Sequence, residues 1–315
     1  MKKIIILVLI FLCGCTKTPP GPTLRVYLPE NYINNAALEE FEHKTGIRVL
    51  CSTFANNEEM FEQVSTKKNL CDIVVAQDYM VTRMAEDELI LPIEFEQIPN
   101  IANIDEEITV YSVPYMSGVL GLLYDTNLVT NPTWDSLWDE QYAQQIIMPN
   151  SRRDCFSAAL TALEFSPDSG ESSEINAAQQ KLIAQRRLIQ GYYDGGIGDR
   201  MASGRAMLAL TYSGEAWSAM QRSENLAFVV PESGSRKFTD SFVVLKDTNS
   251  VETAHQFIYF MCSNDAAALN QSVLGYSSAN ANARTFEIDE NSTVLTDDAE
   301  KRVLIDQAWG WVRSE

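Results

Sequence analysis

The sequence predicts an α/β protein built as two lobes. Short apolar segments alternate with helix-spaced ones, which is the pattern of parallel βαβ units. The pattern restarts after Pro114, so a second lobe follows the first. Hydrophobic residues make up 45% of the 315 and charged residues 21%, the balance of an ordinary folded chain rather than a disordered one.

In the first lobe, residues 24–27 (Leu-Arg-Val-Tyr) form a short strand. A helix over 36–44 follows, with Leu38 and Phe41 at helical spacing and Gly46 as its stop. Residues 47–51 are the next strand, and 57–64 a helix opened by Asn56 or Asn57. Residues 71–75 (Cys-Asp-Ile-Val-Val) are apolar enough for a strand buried on both faces. In the second lobe, 121–124, 146–148, 206–211 and 226–230 read as strands, as does 242–245 beyond them. Helices are expected over 154–163, with Asn150 or Ser151 near the start, and over 250–262. Ligands of such sheets bind beyond the carboxyl ends of strands, which draws attention to 28–32 and 76–79.

Composition excludes several functions. Lys and Arg number 24 against 43 Asp and Glu, a formal charge of −19 with a pI near 4.5. Nothing basic is available to release counterions from a phosphate backbone, so no nucleic-acid partner is expected. The acidity is compatible with a cationic ligand. His43 and His255 are the only histidines, and neither sits in a motif for zinc or for a Ser-His-Asp centre.

The N-terminus directs the chain out of the cytoplasm. Lys2 and Lys3 precede an apolar run from Ile4 to Leu12, which is signal-peptide anatomy too short to cross a bilayer. Leu12-Cys13-Gly14-Cys15 resembles the bacterial lipobox, with Cys15 as the residue to be lipidated and 1–14 removed. Residues 15–23 carry three prolines and a glycine and read as a tether. Of the remaining cysteines, Cys51, Cys71, Cys155 and Cys262 are scattered without a CxxC, and free, mostly packed thiols are expected.

Three motifs invite chemistry. The cluster from Gly195 to Gly198 lacks the Lys-Ser/Thr and the spacing of a phosphate loop and reads as a turn. Tyr192-Tyr193 would suit ferric iron only if both phenolates reached one site. Cys155 beside Asp154 is a packed thiol at a helix start, where its pKa would be depressed; as a nucleophile it lacks a base. A different signal is broader. Acids and aromatics recur near predicted strand ends: Glu30 and Tyr32, Tyr79, Asp154, Tyr212 and Glu215, Phe238 and Asp240, Tyr276. Carboxylates pair with ammonium heads, and aromatic faces cover methylenes and attract cations, so this mixture suits a flexible organic cation.

From Leu24 to about Gln307 the residues are similar to the periplasmic spermidine/putrescine-binding proteins of polyamine ABC transporters. The resemblance runs through Tyr32, the 41–47 segment Phe-Glu-His-Lys-Thr-Gly-Ile, the 52–60 segment Ser-Thr-Phe-Ala-Asn-Asn-Glu-Glu-Met, and 71–75. It continues through the 111–115 segment Tyr-Ser-Val-Pro-Tyr, the 133–138 segment Thr-Trp-Asp-Ser-Leu-Trp, and Gly275-Tyr276. It implies a two-lobed type II periplasmic-binding-protein fold with a ligand cleft between the lobes. Lobe one would take 24–117 and 240–284, and lobe two 118–239 and 285–315. The implied activity is high-affinity capture of spermidine or putrescine by cleft closure, with delivery to an ABC permease, no cofactor, no catalysis and a monomeric, lipid-anchored chain. The same fold tuned to an amino-acid-like cation or ferric iron is the alternative, and an enzyme using Cys155 a distant one.

Carried over position by position, the resemblance implies a site of Glu30, Tyr32, Gln77, Tyr79, Ser151, Asp154, Tyr212, Phe238, Asp240, Tyr276 and Gln307. A Trp expected in the first loop is absent, since the segment reads Pro29-Glu30-Asn31-Tyr32. The Asp-x-x-Glu pair at the second-lobe helix becomes Ser151-Arg152-Arg153-Asp154, keeping one acid. Tyr212 and Phe238 stand for tryptophans.

Overall fold

A computed structural model describes residues 21–284, 292–296 and 298–314. The expected signal peptide, Cys15 and most of the tether lie outside the described residues. The first lobe opens with β1 (Thr23–Pro29), α1 (Asn35–Thr45), β2 (Arg48–Phe54), α2 (Asn57–Thr66), β3 (Ile73–Gln77), α3 (Asp78–Glu86) and the short β4 (Ile90–Leu91). Two long strands then link the halves, β5 (Val113–Asp125) and, much later, β10 (Ser235–Leu245). Between them lie β6 (Ile146–Pro149), α4 (Arg152–Thr161), α5 (Ser172–Gln185), β7 (Ile189–Tyr193), α6 (Ile197–Ala202), β8 (Leu208–Tyr212), α7 (Ser213–Met220) and β9 (Leu226–Val229). After β10 come α8 (Val251–Met261), α9 (Asn264–Leu274), β11 (Ser277–Ser278), β12 (Ser292–Val294) and α10 (Ala299–Arg313).

Local chemistry explains the helix ends. Asn34 caps α1 by accepting from the Ala36 N–H, and Gly46 at φ 71° ends it. Asn56 caps α2 through the Glu59 N–H at 2.9 Å, and Ser151 caps α4 through the Asp154 N–H at 3.4 Å. Those two caps set the first turns of α2 and α4 beside the cleft described below.

All described strands belong to one 12-stranded sheet whose main path runs β2-β1-β3-β10-β5-β8-β6-β7. β1, β2 and β3 are parallel, as are β6, β7 and β8, whereas β10 and β5 run antiparallel to their neighbours on that path; the short β12 joins β10 in parallel. Side-chain alternation then builds a core on each face of each half. Ile73, Val75, Phe242 and Val244 face a core with Phe41 and Phe257, and Val74, Ala76, Val243 and Leu245 face one with Met60 and Met80. In the second half, Leu120, Leu122, Ile146 and Met148 pack against α4, α5 and α10, while Leu123, Ile147 and Ala209 pack against α6 and α7.

Two expectations need correction. The second-lobe pattern does not restart after Pro114, because β5 runs through it. Proline in a central strand removes a ladder donor, and here it sits where the β5–β10 register shifts. Asp240 pairs with Met116 and Ser241 with Pro114, so Tyr115 is the extra residue of a bulge. Nor do Phe238 and Asp240 stand at a strand end: they lie in the middle of β10, where it crosses from one half to the other.

The secondary motifs resolve as packing. Trp134 is buried with Nε1 donating to the Gly234 carbonyl at 2.9 Å, and Trp138 donates to the Lys181 carbonyl at 2.8 Å. His255 is a core residue whose Nε2 accepts from the Glu94 N–H at 2.9 Å. Cys71, Cys155 and Cys262 are buried free thiols, and Cys51 is an exposed one. Among the described residues no helix is long and apolar enough to cross a membrane.

Candidate functional site

A cleft of about 660 Å³ opens where the two halves meet. Nine of the residues expected in the site line it: Glu30, Tyr32, Gln77, Tyr79, Ser151, Asp154, Tyr212, Phe238 and Tyr276. They come from the carboxyl ends of β1, β3, β6 and β8, from the β10 crossing and from the loop after α9. Seven carboxylate side chains line the cleft against two guanidiniums, so the wall is strongly anionic.

The aromatic wall is continuous. Tyr32 and Tyr276 have ring centroids 5.2 Å apart, Tyr276 and Phe238 6.0 Å, and Phe238 and Tyr212 4.9 Å. Two glycines admit these rings. A Cβ on Gly118 of β5 would lie 2.5 Å from the Phe238 ring, and one on Gly214 of α7 would lie 2.3 Å from the Tyr276 ring. Any larger residue at either place would push an aromatic out of its seat.

Two of the expected residues fall elsewhere. Gln307 is exposed on α10 and does not line the cleft. The helix buries Ile305, Ala308 and Val312 against α5 and α4, and position 307 falls on the outward side of that stripe. Asp240 is 4% exposed and is not a lining residue; it lies behind Tyr32, whose hydroxyl donates to its Oδ2. Burial raises its pKa to about 7, against the lowering effect of the Tyr32 bond and of Arg236; nearby Asp78 adds to the rise.

Asp154 has a different environment. It sits in the first turn of α4, wholly buried, and receives the Tyr212 hydroxyl on Oδ2 at 2.5 Å. Its Oδ1 accepts from Arg236 Nη1 at 2.5 Å. Arg236 was not among the expected site residues, yet it is 1% exposed, lines the cleft and donates through Nη2 to Gln77 Oε1 at 2.8 Å. Its guanidinium lies 5.7 Å from the Tyr212 ring centroid and 5.8 Å from that of Phe238. Burial works most strongly against its charge, but Asp154, Tyr212, Asp78 and Tyr79 together outweigh it and the pKa stands raised. The signal was available: Arg236, Phe238 and Asp240 are two apart, and in a strand that spacing puts all three on one face.

The rim joins the halves as well. Glu58 of α2 accepts from the Tyr79 hydroxyl at 3.2 Å and lies 3.7 Å from Arg152 and 3.9 Å from Arg153 of α4. Glu30 is exposed at the edge of the cleft. Glu215 is occupied, accepting from the Gly198 N–H at 3.0 Å and the Thr211 hydroxyl at 2.7 Å.

The remaining motifs do not assemble a second chemistry. Tyr193 lines the cleft beneath Arg200, while Tyr192 turns away, its ring 5.0 Å from that of Trp309. The expected depression of the Cys155 pKa is wrong. Burial raises it well above the usual thiol range, because desolvation of a thiolate outweighs the helix start, and its Sγ donates to the Pro149 carbonyl.

Two α/β halves meeting over a cleft define the two-lobed type II periplasmic-binding-protein fold, the fold of solute-binding proteins. The chain belongs to the bacterial extracellular solute-binding protein family, which matches residues 36–300. It is 28% identical over 294 residues to the spermidine/putrescine-binding periplasmic protein of Escherichia coli, covering 88% of this chain and 84% of the relative. Its identity to the protein of the same description from Salmonella typhimurium is 27% over 274 residues, covering 83% and 79%. A solved Listeria monocytogenes structure, assigned to spermidine/putrescine ABC transport, superposes with a TM-score of 0.87 at 27% identity, covering 93% of this chain and 99% of that one.

Proposed function

We propose that this protein captures a polyamine of the spermidine or putrescine class outside the cytoplasmic membrane and delivers it to an ABC permease. The observation that carries the reading is the cleft itself, an aromatic run from Tyr32 to Tyr212 with a buried aspartate near each end. Methylenes lie against the rings and gain from burial, and an ammonium group gains from the ring faces and from an anionic wall with an unpaired carboxylate at the Asp240 end. Closing the lobes removes water and strengthens each charged contact. The names of the relatives support the same ligand class.

On this reading lobe one comprises 24–117 and 240–284 and lobe two 118–239 and 285–315. Lipid on Cys15 tethers a monomer to the membrane surface, and the permease and its ATPase are other chains. Native mass spectrometry of the purified mature protein, followed by calorimetry with the free amines, tests the reading. Expected is a co-purifying amine and saturable, colourless binding. A protein that binds no aliphatic amine, or that becomes coloured on loading with ferric iron, would overturn it.

A further inference from the structure

Resting on that amine-binding reading, we propose that Arg236 selects the ligand by supplying a cation of the protein's own. The ligand that fits carries its positive charge at the Asp240 end and an uncharged carbonyl acceptor at the Arg236 end, as a mono-N-acylated diamine or polyamine does.

Three observations lead there. Arg236, Phe238 and Asp240 alternate along β10, so the first and last stand about 13 Å apart on one face, at roughly 3.3 Å per residue, with the Phe238 ring between them. At one end Asp240 accepts a phenol from Tyr32 and, among the described residues, has no cationic partner within ion-pair distance. At the other, Asp154 already holds a guanidinium, so the pair is neutral as a unit. Ser151, which caps the same helix, contributes no charge.

An ammonium entering the Arg236 end would meet a buried like charge and find Asp154 engaged. A second carboxylate would be repelled by Asp154. A neutral acceptor meets neither cost. The guanidinium that lines this end also keeps one donor in reserve, since Arg236 Nε is buried with no hydrogen-bond partner among the described residues. Unmet buried donors are rare and costly, and an amide oxygen satisfies one without adding charge.

The test ranks putrescine, spermidine and N-acetylputrescine by calorimetry on the mature protein, on Arg236→Met, and on the double variant Asp154→Asn with Arg236→Gln. Wild type should bind the acetylated amine at least tenfold more tightly than either free amine. Arg236→Met should reverse that order, because a second ammonium can then take the seat beside Asp154. The double variant removes both charges and should bring the acetylated and free diamines within about threefold, provided charge is what separates them. If wild type prefers a free amine, or if both variants keep the wild-type order, Arg236 is not the selector, and amine capture stands without it. If no amine binds wild type, this proposal falls together with the functional reading. The wild-type ranking decides the matter even where a variant does not fold.

Discussion

The two buried aspartates at the cleft, Asp154 in its wall and Asp240 behind Tyr32, have similar burial and opposite circumstances. Asp154 is neutralised by Arg236 and receives a phenol from Tyr212, whereas Asp240 has a phenol alone. Burial therefore prevails on Asp240 over the Tyr32 bond and the more distant Arg236 and lifts its pKa to about 7, close to the range in which the protein would work. The difference separates two jobs. One carboxylate is part of the protein's internal structure, and the other is left for something brought from outside.

The largest expected effect follows from breaking the paired end. Asp154→Asn should destabilise the protein by about 3–5 kcal/mol, because it strands a buried guanidinium. Adding Arg236→Gln to it should recover most of that loss. Chemical denaturation of the single and double variants checks this, and equal stabilities for wild type and Asp154→Asn would mean that the pair is not desolvated. A role for Asp154 as an open ammonium seat, which the resemblance implied, predicts instead lost affinity with stability intact.

At the unpaired end the expectation is reversed. Asp240→Asn should weaken amine binding by about 2–5 kcal/mol, thirtyfold or more, since the ligand's charge loses its counterion. The apo protein should not suffer. A carboxylate with a raised folded pKa supports folding most at low pH, and that support is lost as pH rises through about 7. The asparagine variant should therefore melt well above wild type at pH 8 and come level with it only below about pH 4, where the unfolded carboxyl is protonated too. The same group links binding to protons. A cationic ligand requires Asp240 ionised, so wild-type affinity should fall by up to about tenfold per pH unit below 7 and the variant's should not. A flat wild-type profile between pH 5 and 7 would remove Asp240 from the site.

The smallest effects concern the wall that the two ends share. Tyr212→Ala and Phe238→Ala should each cost about 1–2 kcal/mol of amine affinity through lost apolar burial and ring–cation contact. Tyr212→Phe separates the hydroxyl from the ring. If Asp154 belongs to the internal pair, losing that hydrogen bond should lower thermal stability more than it lowers affinity.

Much of the architecture was legible in the sequence because its signals are local. The Asn and Ser caps of α2 and α4, the Gly46 stop and the largely apolar, wholly buried β3 follow from backbone hydrogen bonding and burial within a few residues. The aromatic and acidic composition of the cleft was also visible, since most of its residues follow strand ends. Gln307 was misplaced because only the apolar stripe of α10, read against its neighbours, reveals which side faces out.

The amino-acid sequence by itself determined the alternation of elements, the acidity of the protein and the kind of side chain its cleft would carry. Tertiary structure alone decided which charges meet. Arg236 and Asp154 are 82 residues apart, and Tyr32 and Asp240 208 apart. Whether a buried acid is paired or left open depends on these contacts. They arise because β5 and β10 pass through both halves and bring β3, α4 and β8 around one strand face. Local propensity carries no record of such a meeting. The free energy that sets each aspartate's role comes from desolvation and from the partner found across the fold.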